Sequence, residues 1–338
     1  MRNGITTCLA ALALAACAEG PQTHVQVSSS VSGPPAWSTV WFDDFEGTEL
    51  DRSKWAPEQS CWGGGNNERQ CYTGRNDNVR VEDGVLRLIA KKEQFEGPLY
   101  PQGRSGNGRA VQPYTSGKVR TRGLADWTYG RFSARMKLPP GQGAWSAFWM
   151  MPSDDTYGTW PRSGEIDIME AVNLDTPCET CPGGVETRTS GALHFGDYAP
   201  DNTYLHAHTS GEGDTSPAAE WRTYTLEWGE GTLQWFVDEQ LFMRLTGEDW
   251  HTASPKGKGR PAAPFDQSFY LMLNLAVGGN LPEQSNGGGF DPNAFPAELL
   301  VDWVRVETCL GDETTGRACL SRQPWPGKPK GPWEAKSE

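Results

Sequence analysis

Positive charge is what this sequence has little of. Its 30 Lys and Arg face 43 Asp and Glu, a formal net charge of −13. Nucleic acid is bound by a basic face that displaces phosphate counterions, so that partner is excluded first. Helical periodicity is missing as well. No segment repeats its apolar residues every 3.6 positions for long, which excludes a helical bundle. A membrane-spanning run is also wanting: the N-terminal apolar stretch Cys8–Ala16 is shorter than the roughly 20 residues a spanning helix needs. No His/Cys cluster suggests a catalytic transition metal, because the single Cys178-x-x-Cys181 has no second pair and no helix start beside it.

Glycine, proline and tryptophan are abundant, with 40 Gly, 25 Pro and 15 Trp in 338 residues. That is room for one large β domain or two smaller ones, rich in loops and aromatics. From Trp37 on, short alternating runs recur between turn residues. They are Thr39–Phe45, Val85–Ala90, Gly117–Thr121, Gly130–Leu138, Ala144–Met151, Arg188–Phe195, Trp221–Trp228, Leu233–Val237, Phe269–Val277 and Leu299–Glu307. Many short strands with Gly/Pro turns predict an all-β sandwich without internal repeat or second domain. Residues 93–113 read as a long loop between two strands, and the Lys/Pro-rich tail after Cys319 as loose.

The N-terminus carries one early charge, Arg2, then the apolar run, a leader pattern. Leu14-Ala15-Ala16-Cys17 resembles a bacterial lipobox, which makes Cys17 the lipid-bearing residue; an ordinary secretory cut is the alternative. Residues 1–16 are then leader and 17–36 a flexible tether rich in Ser, Gln and Pro. Ala18 lacks the Asp that signals inner-membrane retention, which points to an exported lipoprotein of the outer membrane or cell surface. The lipid would be its only membrane contact. Setting aside Cys8 and Cys17 leaves six cysteines, which sequence proximity groups as Cys61 with Cys71, Cys178 with Cys181 and Cys309 with Cys319. Six cysteines allow 15 connectivities, so the grouping is an expectation; Cys178 and Cys181 have a redox or metal alternative.

The chemistry centres on Trp160-Pro161-Arg162-Ser163-Gly164-Glu165-Ile166-Asp167-Ile168-Met169-Glu170, with three carboxylates in its last six residues. Strand side chains alternate faces, so Glu165 and Asp167 share one and Ile166 and Ile168 the other. Glu170 falls out of step. A β-bulge that absorbs Ile168 or Met169 returns it beside Asp167. Three close carboxyls cannot all ionise cheaply, so one is pushed to hold its proton. Glycoside hydrolysis uses that pair of states, one carboxylate and one carboxylic acid flanking a single bond. The competing reading is a solvated acidic strand.

Glu-Ile-Asp-Ile-Met-Glu resembles the catalytic signature of glycoside hydrolase family 16, in the form Glu-x-Asp-x-x-Glu of its laminarinase-like members. The resemblance spans residues 37 to about 307. It includes Trp41–Phe45, Leu50–Trp55, Gly65-Asn66-Asn67-Glu68, Tyr114–Gly117, Leu138–Trp145, Ala147–Met150, Leu273–Gly279 and Val301–Val306. It implies a catalytic domain over 37–308, folded as a jelly roll of two curved antiparallel sheets with a concave substrate cleft. A disulfide-pinned extension and tail would follow over 309–338. Glu165 would be nucleophile, Glu170 acid/base and Asp167 their helper. Trp145 and Trp149, four apart on one strand face, would line the cleft with Trp160, whereas Trp221, Trp228, Trp235 and Trp303 belong to the core. Asn67 resembles a sugar-binding Asn, although Gly-Asn-rich loops are usually turns. His194 would face the cleft, its alternative being a satisfied structural histidine, and Asn274 would lie on the cleft floor. Lys118 stands where many relatives carry Arg, which puts a sugar contact there in question. Asp44, Gly84 and Asp302 match positions that hold a structural Ca²⁺, a cation suited by oxygen donors; catalysis needs no cofactor. The expected activity is that of a monomeric endo-β-1,3-glucanase on a polysaccharide. Mixed-linked β-glucan or a galactan (agarose, carrageenan) is the alternative substrate, transglycosylation a competing outcome, and a non-catalytic glucan-binding protein the alternative of another class.

Overall fold

Alternation with a period of two, broken by Gly, Pro, Asn and Asp, makes this chain strand over most of its described length. The computed structural model describes residues 35–102, 104, 106–210, 215–286, 288–324 and 327. The leader, Cys17, most of the tether and the end of the tail lie outside these residues. In chain order the strands are β1 (Ala36–Asp43), β2 (Ala56–Pro57), β3 (Gln70–Tyr72), β4 (Val79–Glu82), β5 (Val85–Pro98), β6 (Arg109–Ser116) and β7 (Lys118–Arg120). Then come β8 (Gly130–Lys137), β9 (Ala144–Pro152), β10 (Glu165–Val172), β11 (Ser190–Gly196), β12 (Asn202–His208), β13 (Arg222–Gly229) and β14 (Thr232–Val237). β15 (Gln240–Thr246), β16 (Phe269–Val277), the five-residue helix α1 (Asn280–Gln284) and β17 (Ala297–Leu310) complete the set.

Two sheets result. Ten strands follow the path β15-β14-β13-β8-β17-β5-β6-β3, with β1 added on β17 and β4 on β5; seven follow β12-β11-β10-β9-β16-β7-β2. Pairing is antiparallel except between β3 and β6, which run parallel at the end of the larger sheet. The core fills the space between the sheets. β16 contributes Phe269, Leu271, Leu273, Leu275 and Val277, and β10 contributes Ile166, Ile168, Met169 and Ala171. Phe132, Trp228, Trp235, Leu299 and Val301 meet them from the larger sheet. Each fully buried side chain of this size contributes about 1.5–3 kcal/mol, so the seven-stranded sheet is held along its whole inner face. Its outer face is thereby left free for polar groups.

The structure corrects several expectations. Residues 93–113 are mostly strand, because β5 runs on to Pro98 and β6 starts at Arg109. Trp221 and Trp303 are half-buried on the outer face of the larger sheet, covered by Arg135 and Arg305 at 5.2 and 4.9 Å. Trp228 and Trp235 are core residues as expected. The segment after Cys319 is docked as far as Gln323: Ser321 donates its amide to Glu227 at 2.7 Å, and Arg244 donates to the Gln323 carbonyl at 2.9 Å. All three cysteine pairs are disulfides, Cys61–Cys71, Cys178–Cys181 and Cys309–Cys319. No described helix is long and apolar enough to cross a membrane.

Candidate active site

The site is built on one irregularity of β10. Asp167 pairs with Trp149 and Met169 with Phe148, so Ile168 is the extra residue against β9. Against β11, Asp167 pairs with Ala192 and Glu170 with Ser190, three steps against two. Ile168 and Met169 both turn into the core, 1 % and 0 % exposed, and Glu170 returns to the face of Glu165 and Asp167. The bulge is anchored from the other sheet, where the Trp235 indole donates to the Asp167 carbonyl at 2.9 Å. Gly191 makes room for that indole, since a Cβ there would sit 2.6 Å from Trp235 Cδ1. Gly164, at φ +83°, turns the chain into β10 where any Cβ would meet Phe265.

Each acid has a distinct partner. Trp160 Nε1 donates to Glu165 Oε2 at 2.6 Å, and Trp145 Nε1 to Glu170 Oε1 at 3.0 Å. His194 Nε2 lies 3.3 Å from Asp167 Oδ2, an ion-pair contact without the alignment of a hydrogen bond. Burial, with the Asp167 charge next, pushes Glu170 up to about 8. Burial and the neighbouring Glu165 raise Asp167 to about 6. Burial also raises Glu165, opposed by the His194 charge, the Trp160 donor and Lys118. Burial acts to lower His194, but Asp167 and the two glutamates outweigh it and hold the imidazolium up to about 9. At neutral pH a proton therefore rests on Glu170 and a cation on His194. Glu165, Asp167 and His194 place ligand atoms within 4.8 Å of one another, and a metal there would have to displace the imidazolium proton of His194 at neutral pH.

Beyond the acids, the sheet register assembles the cleft. Trp149 Nε1 donates to Asn274 Oδ1 at 2.7 Å, so the two side chains meet on the sheet face that carries the acids. Trp145 and Trp149 are half-buried, and Trp160 is 42 % exposed. Lys118 joins them, its Nζ 4.7 Å from the Trp149 ring, 5.5 Å from Tyr72 and 3.5 Å from a Glu58 oxygen. Glu68, buried with its pKa raised by that burial, accepts from Gln70 and from Tyr72. Asn67 is exposed in a left-handed turn and donates to Asn280 at 2.9 Å rather than to any of the three acids. Tyr72, Lys118 and Glu68 form a buried polar group against Trp149 that local sequence reading missed or set aside. Tyr72 and Lys118 stand on β3 and β7, strands of three residues each, and Glu68 precedes β3; the alternating run Gly117–Thr121 gives Lys118 a strand but not its neighbours across the sheet.

Asp44, Gly84 and Asp302 lie near one another by register, since Asp43 pairs with Val304 and Leu86 with Val301. The Asp302 carboxylate accepts from Arg135 at 2.5 Å. The acid against Gly84 is Glu46, 3.0 Å from where a Cβ would stand.

Residues 37–306 match the family model described as Beta-porphyranase A-D, GH16 domain. The chain is 41 % identical over 284 residues to the glucan endo-1,3-beta-glucosidase A1 of Niallia circulans, covering 79 % of this chain and 37 % of that protein. It thus spans little more than a third of that relative's length. It is 40 % identical over 278 residues to a beta-glucanase of Rhodothermus marinus, covering 80 % and 85 %. The solved laminarinase of Rhodothermus marinus superposes with a TM-score of 0.65 at 35 % identity, covering 81 % of this chain and 98 % of that one.

Proposed function

Because the chain belongs to glycoside hydrolase family 16, we propose that it is an endo-acting β-1,3-glucanase that cuts its polysaccharide by double displacement. One observation carries the mechanism: Glu165 and Glu170 share a strand face, where Glu165 accepts from Trp160 and Glu170, raised to about 8, keeps its proton at neutral pH. Glu165 is the nucleophile. Its carboxylate forms a bond to the anomeric carbon while the glycosidic C–O bond breaks and the Glu170 proton passes to the departing oxygen. Glu170, now a carboxylate, takes a proton from water; the oxygen of that water bonds the same carbon, and Glu165 leaves as a carboxylate. Configuration at carbon is retained. Asp167 keeps the Glu170 proton in place between turnovers by its charge. His194⁺ offsets the negative charge that remains once Glu170 has given its proton up.

The glucan reading rests on the two relatives near 40 % identity, both named for glucan hydrolysis, and on a cleft lined by Trp145, Trp149 and Trp160. Ring faces of this kind suit sugar C–H faces, while Asn274 and Lys118 supply polar groups for hydroxyls. The test is product analysis on laminarin, mixed-linked β-glucan and agarose, with Glu165→Gln as control. Laminari-oligosaccharides from the parent alone support the reading. Release from agarose alone would overturn the substrate, and laminarin binding without release would overturn the activity.

Three further properties belong to the same proposal. The chain is a lipoprotein anchored through Cys17, so palmitate labelling disappears in Cys17→Ala. It acts as a monomer, so light scattering gives the mass of one chain. A structural Ca²⁺ is held by the Asp44, Gly84 and Asp302 edge, with Glu46 adding a fourth oxygen donor. Asp302 has to leave Arg135 for it, and added Ca²⁺ raises the melting temperature relative to a chelator.

A further inference from the structure

The edge of the seven-stranded sheet carries a row of rings that the proposed mechanism does not use. β12 ends the strand order, and edge strands are commonly blunted by lysines or proline. Here Leu205 and Ala207 pack on the core, so alternation puts Tyr204, His206 and His208 on the cleft face. The register ties each of them to the acids. Glu165 pairs with His194 and His194 with Tyr204; Asp167 pairs with Ala192 and Ala192 with His206; Glu170 pairs with Ser190 and Ser190 with His208.

The rings touch in sequence. Trp160 lies 6.2 Å from His194, His194 stacks on Tyr204 at 5.2 Å, Tyr204 meets His206 at 5.6 Å, and His206 meets His208 edge-on at 5.4 Å. Tyr204 and His206 are half-buried and His208 is exposed, so the row is not core. It runs alongside the line of acids, two strand spacings away, about 10 Å. Between the two rows β11 places His194, Ala192 and Ser190, so beyond His194 only two small side chains separate them.

We infer that Tyr204, His206 and His208 form a second wall of the cleft and bind the sugar unit next to the scissile bond on the β12 side. The occupant is the polysaccharide of the proposed activity, because the row is continuous with the acids through His194. Apolar ring surface, a phenol hydroxyl and imidazole nitrogens match a sugar's C–H faces and hydroxyls. The inference rests on the glucan reading, and its test separates the two.

Affinity for laminari-oligosaccharides of three to seven units is measured calorimetrically in the Glu165→Gln background, with and without His206→Ala. The parent and single variant are also compared for which bond of an end-labelled heptasaccharide they cut. We expect His206→Ala to weaken heptasaccharide binding by roughly 3- to 10-fold, with a smaller loss on the trisaccharide and a displaced cutting position. Tyr204→Phe, which keeps the ring, should lose less than Tyr204→Ala, and melting temperatures confirm that each variant is folded. Unchanged affinity and cutting position would overturn the wall. So would an equal loss at every length, which would make the rings a prop for His194. Failure of the glucan reading shows in the parent, which would neither bind nor cut these oligosaccharides; the same comparisons are then made on whichever polymer it does cut.

Discussion

At the scale of residues, the site is a distribution of protons. Glu170 works as an acid only while protonated, so kcat/KM should fall as pH rises through about 8. His194 sets where that limb lies, since its charge lowers Glu165, Asp167 and Glu170 together. In His194→Gln all three should rise, and the alkaline limb should move to higher pH while the neutral-pH rate drops. A pH–rate profile with an unmoved limb would dismiss the electrostatic role. The same shifts govern stability. Glu170 is raised from 4.5 to about 8 and His194 from 6.5 to about 9, so both hold protons in the folded state that the unfolded chain releases. The Glu170 contribution is complete below about 4.5 and is lost as pH climbs to 8; that of His194 is complete below 6.5 and lost through 9. Wild-type melting temperature should therefore decline from pH 5 to pH 9. Glu170→Gln should gain on wild type above pH 8 by on the order of 1–3 kcal/mol, read from denaturation at pH 5 and pH 9. An equal effect at both pH values would contradict the assignment.

At the scale of elements, the bulge decides which way Glu170 faces. Deleting Met169 would leave the second glutamate four positions after Glu165, which alternation places on the same face without any bulge. That variant loses a fully buried side chain at about 2–4 kcal/mol, but it should keep activity well above Glu170→Gln. With the bulge kept, inserting one Ala after Met169 puts the acid one step out of alternation, turns it toward the core and should abolish turnover. Equal inactivity of the two folded variants would count against the parity argument. This much was legible in the sequence, because Glu165, Asp167 and Glu170 lie on one strand and parity is a local property. Trp145 and Trp149 were legible for the same reason. Lys118, Tyr72, Tyr204 and His206 were not, because what places them is the order of strands far apart in the chain. Asn67 shows the converse: a motif in a Gly-Asn loop located it, yet its side chain bonds Asn280 and not the acids. Trp221 and Trp303 were misassigned because a large ring can lie under an arginine on an outer face as readily as in a core.

At the scale of the molecule, the two sheets divide the labour. The seven-stranded sheet carries the acids and the ring row on its outer face, while the ten-stranded sheet supplies the opposite wall of the core and, through Trp235, holds the bulge. The C-terminal segment belongs to the second of these. Cys309–Cys319 returns the chain from β17 to the outer surface of β13–β15, where Gln234 donates to the Ser321 carbonyl at 3.0 Å and Gln323 donates to the Glu239 carbonyl at 2.9 Å. These polar bonds leave no apolar pattern in the sequence, which is why the tail read as loose. The disulfide closes a short loop, worth about 2–3 kcal/mol by chain entropy. Replacing both cysteines by serine should lower the melting temperature by roughly 5 °C. Because the segment lies on the sheet remote from Glu165 and Glu170, kcat at 25 °C should stay within about twofold of wild type. An unchanged melting temperature would mean that the segment rides on the sheet without bracing it. A loss of kcat in the folded variant would mean that strain on β13 and β14 reaches the catalytic face through Trp235, the residue that joins the two sheets at Asp167.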